Sequence, residues 1–189
     1  MSDWTTYDRV SAMYEHRAAD RVPITDYPWK TTVERWHREG MPEDVSYVDY
    51  FDLDHFYQIP VDVSPQFERK TLEETDEYIV HTTQWGGTER VWKHAASTPE
   101  HIDFKVKDRE SWAEAKTRMT PSRDRVDWER LDRDFNRARE QGAWISAGFW
   151  FGFDVTHSRM VGTERILMAM VTDPDWVVDM FETYLDMCI

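Results

Sequence analysis

An aspartate and a histidine three positions apart, Asp154 and His157, stand in the stretch GAWISAGFWFGFDVTHSRMVG (142–162), beside Trp150, Phe151 and Phe153. An imidazole titrates at about pH 6.5 when unperturbed, so His157 on a loop could serve as acid, base or hydrogen-bond donor. The same residue could equally open the next helix with its ring nitrogens satisfied. The neighbouring aromatics have two readings as well: the lining of a cavity, or core packing. Asp62, in IPVDVSP, places another carboxylate at the end of an apolar run, where it could accept N–H bonds or hold a cation. Turn formation is the alternative for an aspartate there. His81, His94 and His101 lack the short spacings of tight zinc sites, so no metal site is expected from them.

The elements that must position these groups follow from periodicity and punctuation. Trp4, Tyr7, Val10 and Tyr14 predict an opening helix whose stripe is packing, and Pro23 imposes extended geometry on Val22, predicting a short strand over 22–25. A short helix is expected over 31–39, ended by Gly40 and Pro42. IPVDV reads as a buried strand. DEYIVHTTQWGGTERVWKH reads as an inserted β-hairpin turning at Gly86 and Gly87. Asp108 caps a helix carrying Trp112, Ala115 and Met119; Asp127 caps another carrying Trp128, Leu131, Phe135 and Ala138, closed by Gly142. AWISAGFW is the next strand, 163–171 the next helix, and Asp173-Pro174 opens a last one. The 142–162 stretch therefore sits at a helix, strand, loop, helix junction, and in parallel α/β folds the loops leaving the carboxyl ends of strands carry the ligand site.

Composition narrows the function classes. With 23 basic against 37 acidic residues the net charge is −14, which argues against a phosphate-binding surface for nucleic acid or anionic membranes. Cys188 is the sole cysteine, so neither an intrachain disulfide nor a cysteine-rich zinc site can be built from these residues, and a cytoplasmic location fits. The N-terminus lacks the basic-then-apolar pattern of a secretory signal, and no apolar run approaches the roughly 20 residues of a spanning helix. The final helix bears a broad apolar stripe of Trp176, Val177, Met180, Phe181, Tyr184, Leu185 and Cys188 and runs to Ile189 without a stop signal. Such a stripe needs a partner surface, and the chain is expected to continue beyond Ile189.

The opening YDRVSAMYEHRAADRVPI resembles the start of the uroporphyrinogen decarboxylase family, a helix of the form R-x-x-x-x-x-x-x-H-x-x-x-D-R-V-P, matched by His16, Asp20, Arg21, Val22 and Pro23, with Arg9 one position nearer His16 than that form has. YFDLDHFYQIPVDVSPQFERKTLEETDEYIV, then QWGGTERVWKH with TPEHIDFKVKDRESWAEAK, then GTERILMAMVTDPDWVVDMFETYLD resemble later parts of the family in the same order. The resemblance implies one domain over 1–189 that is the N-terminal part of a (β/α)8 TIM barrel with an inserted β-hairpin. Such a partial barrel is expected to be inactive alone, and to be sticky or dimeric because of its open strand edge. Family decarboxylases carry W-x-M-R-Q-A-G-R early, whose arginines pair with substrate carboxylates; here the stretch is ITDYPWKTTVERWHREGMP, with Trp29 as a substrate-contact candidate and Lys30 but no arginine pair. That departure turns the expectation from tetrapyrrole decarboxylation toward the corrinoid-linked methyltransferases, which act with a corrinoid protein on a small thiol or methylated compound. Their zinc, held by His-x-Cys and a distant Cys, would need ligands beyond Ile189. A non-catalytic binding domain is the third alternative. Within the resemblance, Asp62 is the nearest counterpart of the aspartate that binds pyrrole nitrogens, and SAGFWFGFDVTHS is similar to a G-A-P-W-T-L segment followed by a site tyrosine, whose place falls near His157 or Ser158.

Overall fold

A computed structural model describes residues 4–188 as a mixed α/β protein that divides into two compact units, Met1–Pro60 with Val126–Gly148, and Val61–Arg125 with Phe149–Ile189. It contains a parallel and an antiparallel sheet, and no closed barrel is formed among the described residues. The run of the final helix to Ile189, expected from the sequence, falls outside them.

In the first unit, α1 (Thr6–Tyr14) starts at a reciprocal cap: the Thr5 hydroxyl accepts the Asp8 N–H at 3.2 Å, and the Asp8 carboxylate accepts the Thr5 N–H at 2.9 Å. The helices α2 (Lys30–Arg38) and α3 (Tyr47–Tyr50) lead to β1 (Phe56–Ile59). After α5 (Trp128–Glu140), itself capped by Asp127, the chain returns as β6 (Trp144–Ala147), parallel to β1 with Phe56 opposite Trp144 and Ile59 opposite Ala147. Helix α5 packs on both strands, as a parallel crossover requires. The opening stripe divides: Val10 is buried, whereas Tyr7 and Tyr14 are exposed and stack on Trp144 at centroid distances of 5.9 and 5.6 Å.

Two expected strands are corrected. Residues 22–25 form no strand and join no sheet among the described residues, because Ile24 donates its N–H to the Asp54 side chain at 2.8 Å and its carbonyl accepts the Asp54 N–H at 2.8 Å. IPVDV is not a strand either: β1 ends at Ile59, Pro60 has no N–H for a ladder, and Asp62 folds the chain into a turn by accepting the N–H and hydroxyl of Ser64 at 3.0 and 2.6 Å.

Asp54 anchors the unit. Its side chain is wholly buried and receives Arg9 at 2.9 Å, Arg21, the Thr6 hydroxyl at 3.1 Å and the Ile24 N–H. Arg9 in turn makes a two-pronged pair with Asp20 at 2.8 and 2.9 Å. Burial alone would raise the Asp54 carboxyl, but the bonds from Ile24, Arg21, Arg9 and Thr6 together hold it below the usual carboxylate value.

In the second unit β2 (Thr71–Glu74), β3 (Tyr78–Thr82), β4 (Gly87–Trp92) and β5 (Glu100–Phe104) form an antiparallel sheet in sequence order. The hairpin expected at the paired glycines is the β3–β4 turn, where the Thr83 hydroxyl accepts the Gly87 N–H at 3.1 Å. Beyond the sheet come α4 (Arg109–Arg118), the single turn α6 (Phe153–Val155), a π-helical turn (Thr156–Met160), α7 (Thr163–Thr172) and α8 (Pro174–Cys188). The apolar stripe of α8 finds its partner inside this unit: Trp176, Val177, Met180 and Tyr184 join Trp112, Val155, Met160 and Ile166 in one core.

Gly162 opens α7 at φ +93°, and a Cβ there would meet the Phe104 ring at 2.8 Å. Gly162→Ala combines left-handed strain with that overlap and is expected to cost about 2 kcal/mol in urea unfolding. Unchanged stability would show that the Phe104 ring yields freely.

Candidate functional site

Where the chain leaves β6, residues 149–151 run as exposed aromatic loop before the α6 turn. Phe149 and Phe151 meet edge to face at 6.4 Å, Phe151 leans on Phe181 at 6.2 Å, and the Arg159 guanidinium lies over Trp150 at 5.2 Å. The wide turn that follows is closed by the Val161 N–H donating to the Thr156 carbonyl at 2.9 Å, five residues back. Such π-turns recur at functional sites because they push a side chain out of helical register.

His157 is the best-placed group in this turn. Its ring lies flat on Phe153 at 4.8 Å with an 18° interplanar angle, and its Nδ1 is 3.1 Å from the Thr163 hydroxyl. Among the described residues Nε2 has no hydrogen-bond partner, so the stack and Thr163 orient a ring whose other nitrogen is free to give or take a proton. Val155, Thr156 and Met160 are buried beneath it, fixing the turn to the core.

Asp154 is exposed, with no hydrogen bond or ion pair to its carboxylate among the described residues, and no bond joins it to His157. Asp62 is engaged elsewhere: besides Ser64 it accepts Gln66 Nε2 at 2.8 Å, while Arg125 donates to the Asp62 and Ser64 carbonyls at 3.3 and 2.9 Å. Burial raises the Asp62 carboxyl, and the Ser64 and Gln66 bonds with the charge of Arg125 outweigh it, leaving the group below its ordinary value. An ionised Asp62 is thus occupied in holding a turn. Trp29 lies in the first unit, at the start of α2, exposed. The structure therefore brings His157 together with Phe153 and places Trp150 and Phe151 along the same loop, while Asp62 shares no hydrogen-bond partner with them.

No family profile, curated protein or solved structure matches this chain. Function must rest on the residues themselves.

Two polar constellations escaped sequence reasoning. The Asp54 cluster is one; its arginines and Asp20 stood in the opening motif, but nothing local marked Asp54 as their partner. The other runs across three strands, with Glu89 lying 3.8 Å from His81 and 3.4 Å from His101. The β3–β4 hairpin was readable, but β5 and the register that sets these three side by side were not. Among the described residues no group of three or more His, Cys, Asp or Glu is arranged to hold a metal ion. No described helix is long and apolar enough to cross a membrane.

Proposed function

We propose that this chain belongs to a cytoplasmic enzyme built on a uroporphyrinogen decarboxylase-type (β/α)8 barrel, of which it forms part, and that its chemistry is methyl transfer between a corrinoid on a partner protein and a small thiol or methylated compound. The observation that supports the reading is the parallel β1–β6 pair with α5 packed on both strands, a crossover of the kind from which barrel walls are built. Both strands run in the same direction, so their carboxyl ends lead into the segments carrying Asp62 and Trp150 to His157. His157 supplies the proton-transfer group: its free Nε2 takes the proton a thiol loses as sulfur becomes the methyl acceptor.

Support for methyl transfer over tetrapyrrole decarboxylation comes from the α2 region. Arg35 there is solvent-exposed and paired with Glu39 at 3.1 Å, so it is not held ready as part of a cradle for substrate carboxylates. A zinc ion of the kind methyltransferases use does not fit the residues present. Cys188 is the sole cysteine, its thiol is pushed up by burial, and no described donors converge on it, so no step is derived through a metal.

The test mixes protein expressed from its full reading frame with methylcobalamin and a small thiol and follows the cobalamin spectrum. Thiol-dependent demethylation is expected, with His157→Ala lowering kcat about 100-fold while circular dichroism stays unchanged. Consumption of uroporphyrinogen without demethylation would replace this reading by decarboxylation. Loss of neither compound would leave a binding role.

A further inference from the structure

In the first unit a cleft of about 560 Å3 opens between the start of α1 and the turn from α5 into β6, lined by Tyr7, Phe135, Arg139, Trp144 and Ile145. Its size falls within the range that suits small-molecule ligands. Three of its walls are aromatic, and they are held in place: Tyr7 stacks on Trp144 and gives its backbone N–H to the Gly142 carbonyl at 2.9 Å.

The charge in the cleft is the informative feature. In a chain with 37 acidic against 23 basic residues, Arg139 has no carboxylate partner among the described residues, and its guanidinium lies 6.0 Å from the Phe135 ring centroid. The neighbouring arginines of α5 are spoken for: Arg130, Arg133 and Arg137 all lie within 3.5 Å of Asp134. A planar guanidinium presents a two-pronged donor set that matches a carboxylate, and resting near an aromatic ring reduces its side-chain freedom before any ligand arrives. The indole N–H of Trp144 adds another donor without an acceptor among the described residues.

We infer that this cleft binds a small planar aromatic carboxylate, its ring among Tyr7, Phe135 and Trp144 and its carboxylate on Arg139. The cleft stands at the amino end of β6, opposite the carboxyl ends from which the proposed catalytic segments leave, so the inference does not depend on methyl transfer.

Calorimetric titration with indole-3-acetate and its neutral counterpart indole-3-acetamide tests it. Saturable binding of the acid is expected, about tenfold or more tighter than the amide, the difference of one charge-assisted pair. Arg139→Gln should bring the acid down to the affinity of the amide and leave the amide unchanged. Arg137→Gln removes the same charge from a residue already paired with Asp134 and should leave both affinities as they are. Arg139 is exposed, and circular dichroism of the variant checks that the fold persists. Equal affinity for acid and amide, undiminished binding by Arg139→Gln, equal losses in both arginine variants, or no saturable binding at millimolar ligand would each overturn the assignment.

Discussion

Asp54→Ala is expected to lower the free energy of unfolding by about 3–5 kcal/mol, the range found when one partner of a buried charge pair is removed. Two guanidinium groups would remain, Arg9 almost wholly buried and Arg21 partly so, with Arg9 still paired with Asp20. The Ile24 N–H and the Thr6 hydroxyl would lose their acceptor as well. Because Asp54 joins α1, the segment around Ile24 and the entrance to β1, its loss should loosen the whole first unit. Urea unfolding measures the effect, and a loss below about 1 kcal/mol would show that the arginines find other partners.

The sign of the pH dependence follows from the same contacts. Asp54 has a folded-state pKa below its unfolded value, so its contribution is fully present above the unfolded pKa of about 3.9 and is lost as pH falls toward the folded value. The stability gap between the native protein and Asp54→Asn should therefore be constant near neutrality and narrow below about pH 4. A gap that stays constant through that acid range would place the native contribution in shape rather than charge.

Trp112→Ala is expected to cost about 3–5 kcal/mol, as buried tryptophan truncations do. Trp112 is 2% exposed and sits in the shared core of α4, the π-turn and α8, with Tyr184 at 6.5 Å. Its indole N–H donates to Asp179 at 2.6 Å, and Lys116 binds the other oxygen of that carboxylate at 2.5 Å, so α4 is fixed to α8 by packing and by charge together. Trp112→Phe keeps a ring and drops the donor while Lys116 still serves Asp179; a smaller cost of about 1–2 kcal/mol is expected. Equal losses in both variants would mean that the hydrogen bond, and not the filled volume, carries the tie. Since a domain's total stability is about 5–15 kcal/mol, the alanine variant removes a large fraction of it.

Local chemistry made the helices legible. Asp108 and Asp127 cap where expected, accepting N–H groups three residues ahead, and Trp112 and Ala115 are buried on one face as their spacing predicts. The β3–β4 hairpin was equally readable, since a turn at paired glycines is decided within a few residues. Strand limits were less so. Val22 to Thr25 and IPVDV have strand-like composition, yet backbone donors captured by the carboxylates of Asp54 and Asp62 took them out of any sheet.

The candidate site divides the same way. His157 could be named from its type and its place in a glycine-rich loop, but the stack on Phe153, the bond to Thr163 and the π-turn that carries the ring are properties of folded geometry. Asp62 carried two readings, and its contacts with Ser64, Gln66 and Arg125 assign it a turn. By itself the sequence determined the capped helix starts at Asp108 and Asp127, the hairpin and the excess of acidic charge, because these depend on composition or on neighbours within a turn or two. Only the tertiary structure decided that Arg9 meets Asp54 across 45 positions, that β1 lies parallel to β6, and that Arg139 stands beside an aromatic cleft with no carboxylate partner among the described residues. Those pairings depend on which distant segments share space, and that is set by burying the apolar faces of many elements at once.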